Sequence, residues 1–260
     1  MEANPNDPLL EVSGDGSHTL YSPRFGQHYH DSKGAIDESR HVFLEHGQLL
    51  NRLQQNEDLQ LFEMGFGTGL NLLLVADALR SSPSKAKITY TTIEAFPLSP
   101  ALAAQLNYAE RLHFEAFSLE PIFGQLKPGL NTLHLTPQLN LRVFVGFFAD
   151  FNAFEEPIDL IFFDAFSPKV NPELWTATVF ETLIHHAAEH CVLSTYCAAV
   201  GARAAMCYAG WKVARAPGCK TRREMTLASN HEEDLAGYTR VDEARYIDRY
   251  AKGEFSLGGV

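Results

Sequence analysis

Four carboxylates and three glycines carry the chemistry open to this chain. Glu63 precedes the turn Gly65-Phe66-Gly67-Thr68-Gly69, Glu94 closes the run Ile88-Thr89-Tyr90-Thr91-Thr92-Ile93, and Asp150 and Asp164 each follow an apolar run. Glycine at alternate positions lets backbone N–H groups come close to a ligand at the start of a helix. An acid about 25 residues beyond Gly69 is close to the ~20 expected for a carboxylate that accepts from both hydroxyls of a ribose. Any one acid after a strand is ordinarily a cap or loop carboxylate. Four at successive strand ends point to a site for a nucleoside-containing ligand.

The elements that must position these groups alternate. Strand 59–63, helix 70–79, strand 88–93 and a helical stretch 99–107 form a βαβα order, which implies a parallel sheet with right-handed crossovers. A hairpin follows, with arms 131–135 and 139–145. Ile158-Asp159-Leu160-Ile161-Phe162-Phe163-Asp164 is nearly continuous in apolar residues and reads as a central strand covered on both faces. A helix over 176–190, a strand over 191–196 and a helix over 200–208 lead to a second hairpin, 211–216 with 223–228. Ahead of this core, residues 16–30 read as two short strands about a Pro/Gly turn, and 36–46 as a helix ending at Gly47. The expected division is an N-terminal extension, 1–58, a core, 59–229, and a peripheral C-terminal tail, 230–260.

The turn is spaced G-x-G-x-G, not the G-x-G-x-x-G of dinucleotide-binding folds. It resembles the turn of class I S-adenosylmethionine-dependent methyltransferases. The resemblance implies an α/β, Rossmann-like fold with a mostly parallel seven-stranded sheet ending in an antiparallel hairpin. It also implies S-adenosylmethionine as cofactor, bound at Gly65, Gly67 and Gly69. Glu94 would take the ribose, Asp150 the adenine amino group with Phe151 packed on the base, and Glu63 the methionine ammonium.

A stiff loop, Asp164-Ala165-Phe166-Ser167-Pro168-Lys169-Val170-Asn171-Pro172-Glu173-Leu174-Trp175, follows the central strand and suits a planar substrate. Together with Gly218-Cys219-Lys220-Thr221-Arg222-Arg223-Glu224-Met225 and the glycine turn, it resembles the methyltransferase half of the bifunctional bacterial enzymes that modify wobble uridine in tRNA. Tyr29, Glu38 and Val42-Phe43-Leu44 extend the match. The resemblance implies methylation of the primary amine of 5-aminomethyl-(2-thio)uridine at tRNA position 34. Asp164 would hold the amine and take its proton, Phe166 and Pro168 would wall the uracil, and Tyr29 and Glu38 would complete the substrate site. Lys169, Lys220 and Arg222 would meet phosphates. The Asp-Gly-Phe-Ala-Pro sequence expected of those enzymes reads Asp164-Ala165-Phe166-Ser167-Pro168 here. Nothing resembles their FAD-binding oxidase half, so a separate enzyme is expected to supply the aminomethyl group.

Composition narrows the alternatives. A net charge of -11 disfavours a generic nucleic-acid binder, so a tRNA partner has to meet a local basic group. Lys212, Arg215, Lys220, Arg222 and Arg223 are the dense candidate. Cys191, Cys197, Cys207 and Cys219 form no C-x-x-C pair, His28, His30, His185 and His186 lack metal-site spacing with carboxylates, and no metal is expected. The start at Met1 has neither a basic nor an apolar leader region and no run is long enough to span a membrane, which makes cytoplasmic the expected location. An NAD-dependent dehydrogenase would use Glu94 equally well, but the glycine spacing disfavours it. The acidic charge disfavours a non-catalytic RNA-binding module. Methylation or aminopropyl transfer on another amine remains open at this level.

Overall fold

A computed structural model of the chain describes residues 6–220 and 222–255; Met1, and Thr221 of the basic motif, lie outside them. In chain order the N-terminal segment holds β1 (Leu9–Val12), β2 (His18–Ser22), β3 (Gln27–His28), α1 (Ala35–Ser39), which runs on as a π-helical turn over Arg40–Glu45, and α2 (Leu49–Gln55). The core follows with β4 (Leu59–Met64), α3 (Leu70–Ser81), β5 (Ile88–Glu94), the short helices α4 (Pro100–Ala103), α5 (Tyr108–Arg111) and α6 (Glu120–Gln125), β6 (Gly129–Thr136), β7 (Leu139–Val145) and β8 (Ile158–Phe163). It ends with α7 (Ala177–His185), β9 (Ala187–Thr195), α8 (Val200–Tyr208), β10 (Lys212–Pro217), β11 (Glu224–Ser229), β12 (Thr239–Arg240) and α9 (Glu243–Ala251).

β1, β2 and β3 form a small antiparallel sheet. The main sheet has nine strands in the order β12-β10-β11-β9-β8-β4-β5-β7-β6, not the seven expected. Its centre, β9-β8-β4-β5-β7, is parallel, and antiparallel strands close it on both sides: β6 on β7, and β11, β10 and β12 beyond β9. Expectation and structure differ most at the ends. Residues 230–251, read as a tail, supply β12 and an amphipathic helix, α9, packed on α8. Of the helix expected over 99–107 only α4 forms, and a second short helix, α5, begins just beyond it.

The apolar run after the glycine turn makes α3 a helix buried nearly all round, from Leu70 to Ala76 and at Leu79. Such a helix lies between layers instead of on the surface. It is covered on the side away from the sheet by α1 and its π turn, so the N-terminal segment is part of the core. Gly47 lets the chain after the π turn pass close to β9: a Cβ there would meet Phe43 O at 2.2 Å and Ser194 Oγ at 2.7 Å.

Candidate active site

The carboxyl ends of the parallel strands open into a cavity of about 530 Å³, where ligands of open α/β sheets bind. Gly65, Gly67, Asn71, Glu94, Phe147, Asp164, Phe166 and Tyr29 line it. Gly65 and Gly67 have φ of 94° and 54°, the left-handed region that favours glycine. A Cβ on Gly65 would stand 3.0 Å from Asp164 O, and one on Gly67 3.2 Å from the Tyr29 ring. Gly69, at φ 76°, caps α3 and faces Leu119 behind the cavity wall.

Glu94 ends β5 and ties the turn to it. One carboxylate oxygen accepts from Gly67 N at 2.8 Å and the other from Phe96 N at 2.8 Å. Burial raises its pKa while these backbone bonds oppose the shift. Each oxygen keeps a further lone pair for the cavity, which suits a pair of vicinal hydroxyls.

Beneath the cavity lies a network anchored on one amide. Asn71 Nδ2 donates to Glu63 Oε1 at 2.9 Å and to Asp164 Oδ2 at 2.8 Å, while Thr92 Oγ1, opposite Glu63 in the β4/β5 register, donates to Glu63 Oε2 at 2.8 Å. Burial pushes Glu63 up to about 7, and burial, then the Glu63 and Glu38 charges, push Asp164 well above the usual carboxylate range. A carboxyl whose proton affinity is raised by burial and neighbouring charge is suited to taking up a proton from a bound group. Asn71 was not anticipated, yet one polar residue inside Leu70-Asn71-Leu72-Leu73-Leu74 is a signal, because a buried amide must find partners.

Several expected site residues stand elsewhere. Glu63 is 1% exposed with both oxygens committed inside the wall, so it does not meet a ligand ammonium directly. Asp150 is exposed at the end of a 3-10 turn and Phe151 is buried against Phe62, Phe144 and Phe154; Phe147 and Phe148 line the cavity in their place. Pro168 faces a separate recess with Trp175 and Tyr250, and Lys169 is an exposed side chain lining neither recess. Phe166 does line the cavity, its ring 5.0 Å from Tyr29 and 4.7 Å from Phe25. The loop that carries it is pinned by Trp175 Nε1 donating to Phe166 O at 2.8 Å and by Ser167 Oγ donating to Gln27 at 2.8 Å.

The basic group is largely neutralised. Lys212 lies 3.7 Å from Glu243, Arg215 3.3 Å from Glu224, Lys220 2.5 Å from Asp37 and Arg222 2.8 Å from Glu38. Arg222 and Glu38 instead line a second recess beside the main cavity. The four cysteines are free, and three are buried. Among the described residues, His190, His231 and Glu233 bring ligand-type atoms within 4.8 Å of one another at the surface, each imidazole beside a carboxylate. No helix among the described residues is long and apolar enough to cross a membrane.

Residues 112–231 match the family model described as S-adenosyl-L-methionine-dependent methyltransferase. The tRNA 5-methylaminomethyl-2-thiouridine biosynthesis bifunctional protein MnmC of Delftia acidovorans is 32% identical over 212 residues, 79% of this chain and 32% of that protein. The protein of that name from Aromatoleum aromaticum is 33% identical over 226 residues, 85% of this chain and 35% of that protein. The chain thus spans about a third of the length of the curated relatives it matches. MNMC2 from Aquifex Aeolicus shares the fold, with a TM-score of 0.73 over 95% of this chain and 76% of that chain at 22% identity.

Proposed function

This chain is an S-adenosyl-L-methionine-dependent methyltransferase of the class I fold, and from that premise we propose that it methylates the primary amine of 5-aminomethyl-(2-thio)uridine at the wobble position of tRNA. One observation carries the reading: Asp164, the carboxylate of the loop whose sequence resembles that of the bifunctional enzymes, lines the same cavity as Glu94 and the glycine turn. Gly65, Gly67 and Glu94 would hold the cofactor, with Phe147 and Phe148 against its base. When bound, the cofactor supplies an electrophilic methyl on a sulfonium sulfur.

The residues of the chain then have two tasks. Asp164 would accept a hydrogen bond from the amine, orient its lone pair toward the glycine-turn side of the cavity and take up the proton that the nitrogen loses when it gains the methyl group from the bound cofactor. Fixing that alignment can supply ~7 kcal/mol or more of the barrier reduction. Phe166 and Tyr29 meanwhile exclude water and face the planar substrate. A separate enzyme would supply the aminomethyl group, and a tRNA substrate implies a cytoplasmic location.

The test is nucleoside analysis of tRNA lacking the methyl group, incubated with the protein and adenosylmethionine. Appearance of 5-methylaminomethyl-(2-thio)uridine is the expected outcome. Transfer of methyl only to small amines, with tRNA untouched, would end the tRNA reading.

A further inference from the structure

The sheet order divides the carboxyl edge at Asp164. The glycine turn and Glu94 follow β4 and β5 on one side, Asp164 follows β8, and on the other side Tyr196 follows β9 and Arg222 precedes β11. A nucleophile must reach a methyl carbon opposite its leaving sulfur, so donor and acceptor need separate pockets that meet at the group handling the proton. A second recess, of about 280 Å³, lies on that far side. It shares Tyr29, His30 and Tyr196 with the main cavity and adds Glu38, Arg222 and Ser32.

This recess is built. Glu38 is 7% exposed; one of its oxygens accepts from Arg222 Nε at 2.8 Å and the other from Asp31 N at 2.7 Å. The Arg222 guanidinium lies 4.6 Å over the Tyr196 ring, and the Tyr196 hydroxyl donates to Ala165 O at 2.8 Å, next to Asp164. An aromatic ring, a guanidinium fixed by two partners and a carboxylate with spare lone pairs can address the carbonyls and imide N–H of a pyrimidine. Its volume is too small for a stacked strand and suits a single splayed base, the form in which RNA loops present their edges.

We propose, resting on the methyl-transfer reading above, that this recess is the acceptor subsite: it takes one unstacked pyrimidine base, whose amine-bearing arm passes between Tyr29 and Tyr196 to Asp164. Cofactor and acceptor thus occupy opposite sides of β8. The pairing of Arg222 with Glu38 orients the base and does not serve a phosphate.

Calorimetric titration of 5-aminomethyluridine nucleoside into the protein saturated with adenosylhomocysteine tests this, alongside adenosylmethionine titration and tRNA methylation by the same preparations. Ser32 is exposed, so Ser32→Trp fills the recess without disturbing the core; Arg222→Lys keeps the charge and removes the planar fork. Both variants are expected to weaken nucleoside binding at least tenfold and to lower kcat/KM for tRNA by a similar factor, with the Kd of adenosylmethionine changed less than twofold. Wild-type protein that binds no nucleoside at millimolar concentration, or variants that bind it as the parent does, overturn the subsite. Nucleoside bound by the parent and by neither variant, with no tRNA methylated by the parent, would keep the subsite and sink the tRNA reading.

Discussion

The two sides of β8 are built by different means. On the cofactor side the determinants are close in sequence: a turn of three glycines, a helix start and one acid at the next strand end, with Glu94 bonded to Gly67 across 27 residues. On the acceptor side they come from the whole chain: Ser167 holds Gln27 across 140 residues, and Arg222 holds Glu38 across 184. A pocket made of backbone N–H groups and one strand-end acid can be specified by spacing. A pocket made of side chains from three distant segments exists only once the sheet order has been set. On the proposed reading, the local pattern would serve the shared cofactor and the assembled one would select the acceptor.

Asp164 stands where the two sides meet, so its loss has the largest expected effect. Asp164→Asn keeps the shape and removes proton uptake; single-turnover methyl transfer should fall by ~100-fold or more, with cofactor affinity changed little. Transfer near the parent rate would make Asp164 a part of the wall only. Next comes the cofactor side alone. Glu94→Ala should weaken adenosylmethionine binding by about 1.5 kcal/mol or more, the scale of a hydrogen bond to a charged group, and leave acceptor binding to the adenosylhomocysteine complex unchanged. Equal losses for both ligands would erase the division at β8.

The same contrast explains what the sequence disclosed. The parallel centre of the sheet, the buried central strand and the placement of Glu94 and Asp164 at the cavity were legible because period, turn chemistry and strand ends are local properties. Glu63 was misplaced because spacing puts it at a strand end but does not say that Asn71 and Thr92 take both its oxygens. Asp150 sits beyond the end of β7, and the 3-10 turn Phe148–Asp150 rotates it to solvent while Phe147 and Phe148 face the cavity. The basic group read as a phosphate site because sequence shows cations without showing that Asp37, Glu38, Glu224 and Glu243 fold onto them.

Glu63 gives a pH test of the wall between the sides. Its folded pKa is raised from 4.5 to about 7, so the folded state holds a proton that the unfolded chain releases. Stability from this group is fully present below pH 4.5 and is lost as pH rises through about 7. Glu63→Gln mimics the protonated form, its carbonyl accepting from Asn71 and its amide donating to Thr92. The variant should unfold later than the parent at pH 8, by about 1 kcal/mol or a few degrees in Tm, and the gain should vanish near pH 4.5. A gain of equal size at both pH values would mean that titration of Glu63 is not its cause.

The smallest effect concerns how a polyanion reaches an acidic chain. With Lys212, Arg215, Lys220 and Arg222 in ion pairs, the cations left to meet phosphates are exposed ones outside such pairs, Arg24 and Lys33 in the N-terminal segment among them. Arg24 lies over Phe96 at the cavity margin, 4.2 Å from the ring centroid, and Lys33 follows Ser32 at the second recess. Removing one cation that neutralises a phosphate takes about one unit off the slope of log affinity against log salt. Arg24→Ala with Lys33→Ala should therefore flatten the tRNA slope by about two units and weaken binding severalfold at moderate salt, while nucleoside binding stays as in the parent. Lys212→Ala with Arg215→Ala removes the same formal charge from paired positions and should leave the slope nearly unchanged. If the second pair flattens it and the first does not, the RNA docks along β10, its approach does not follow the acceptor side, and the N-terminal segment serves only to cover α3.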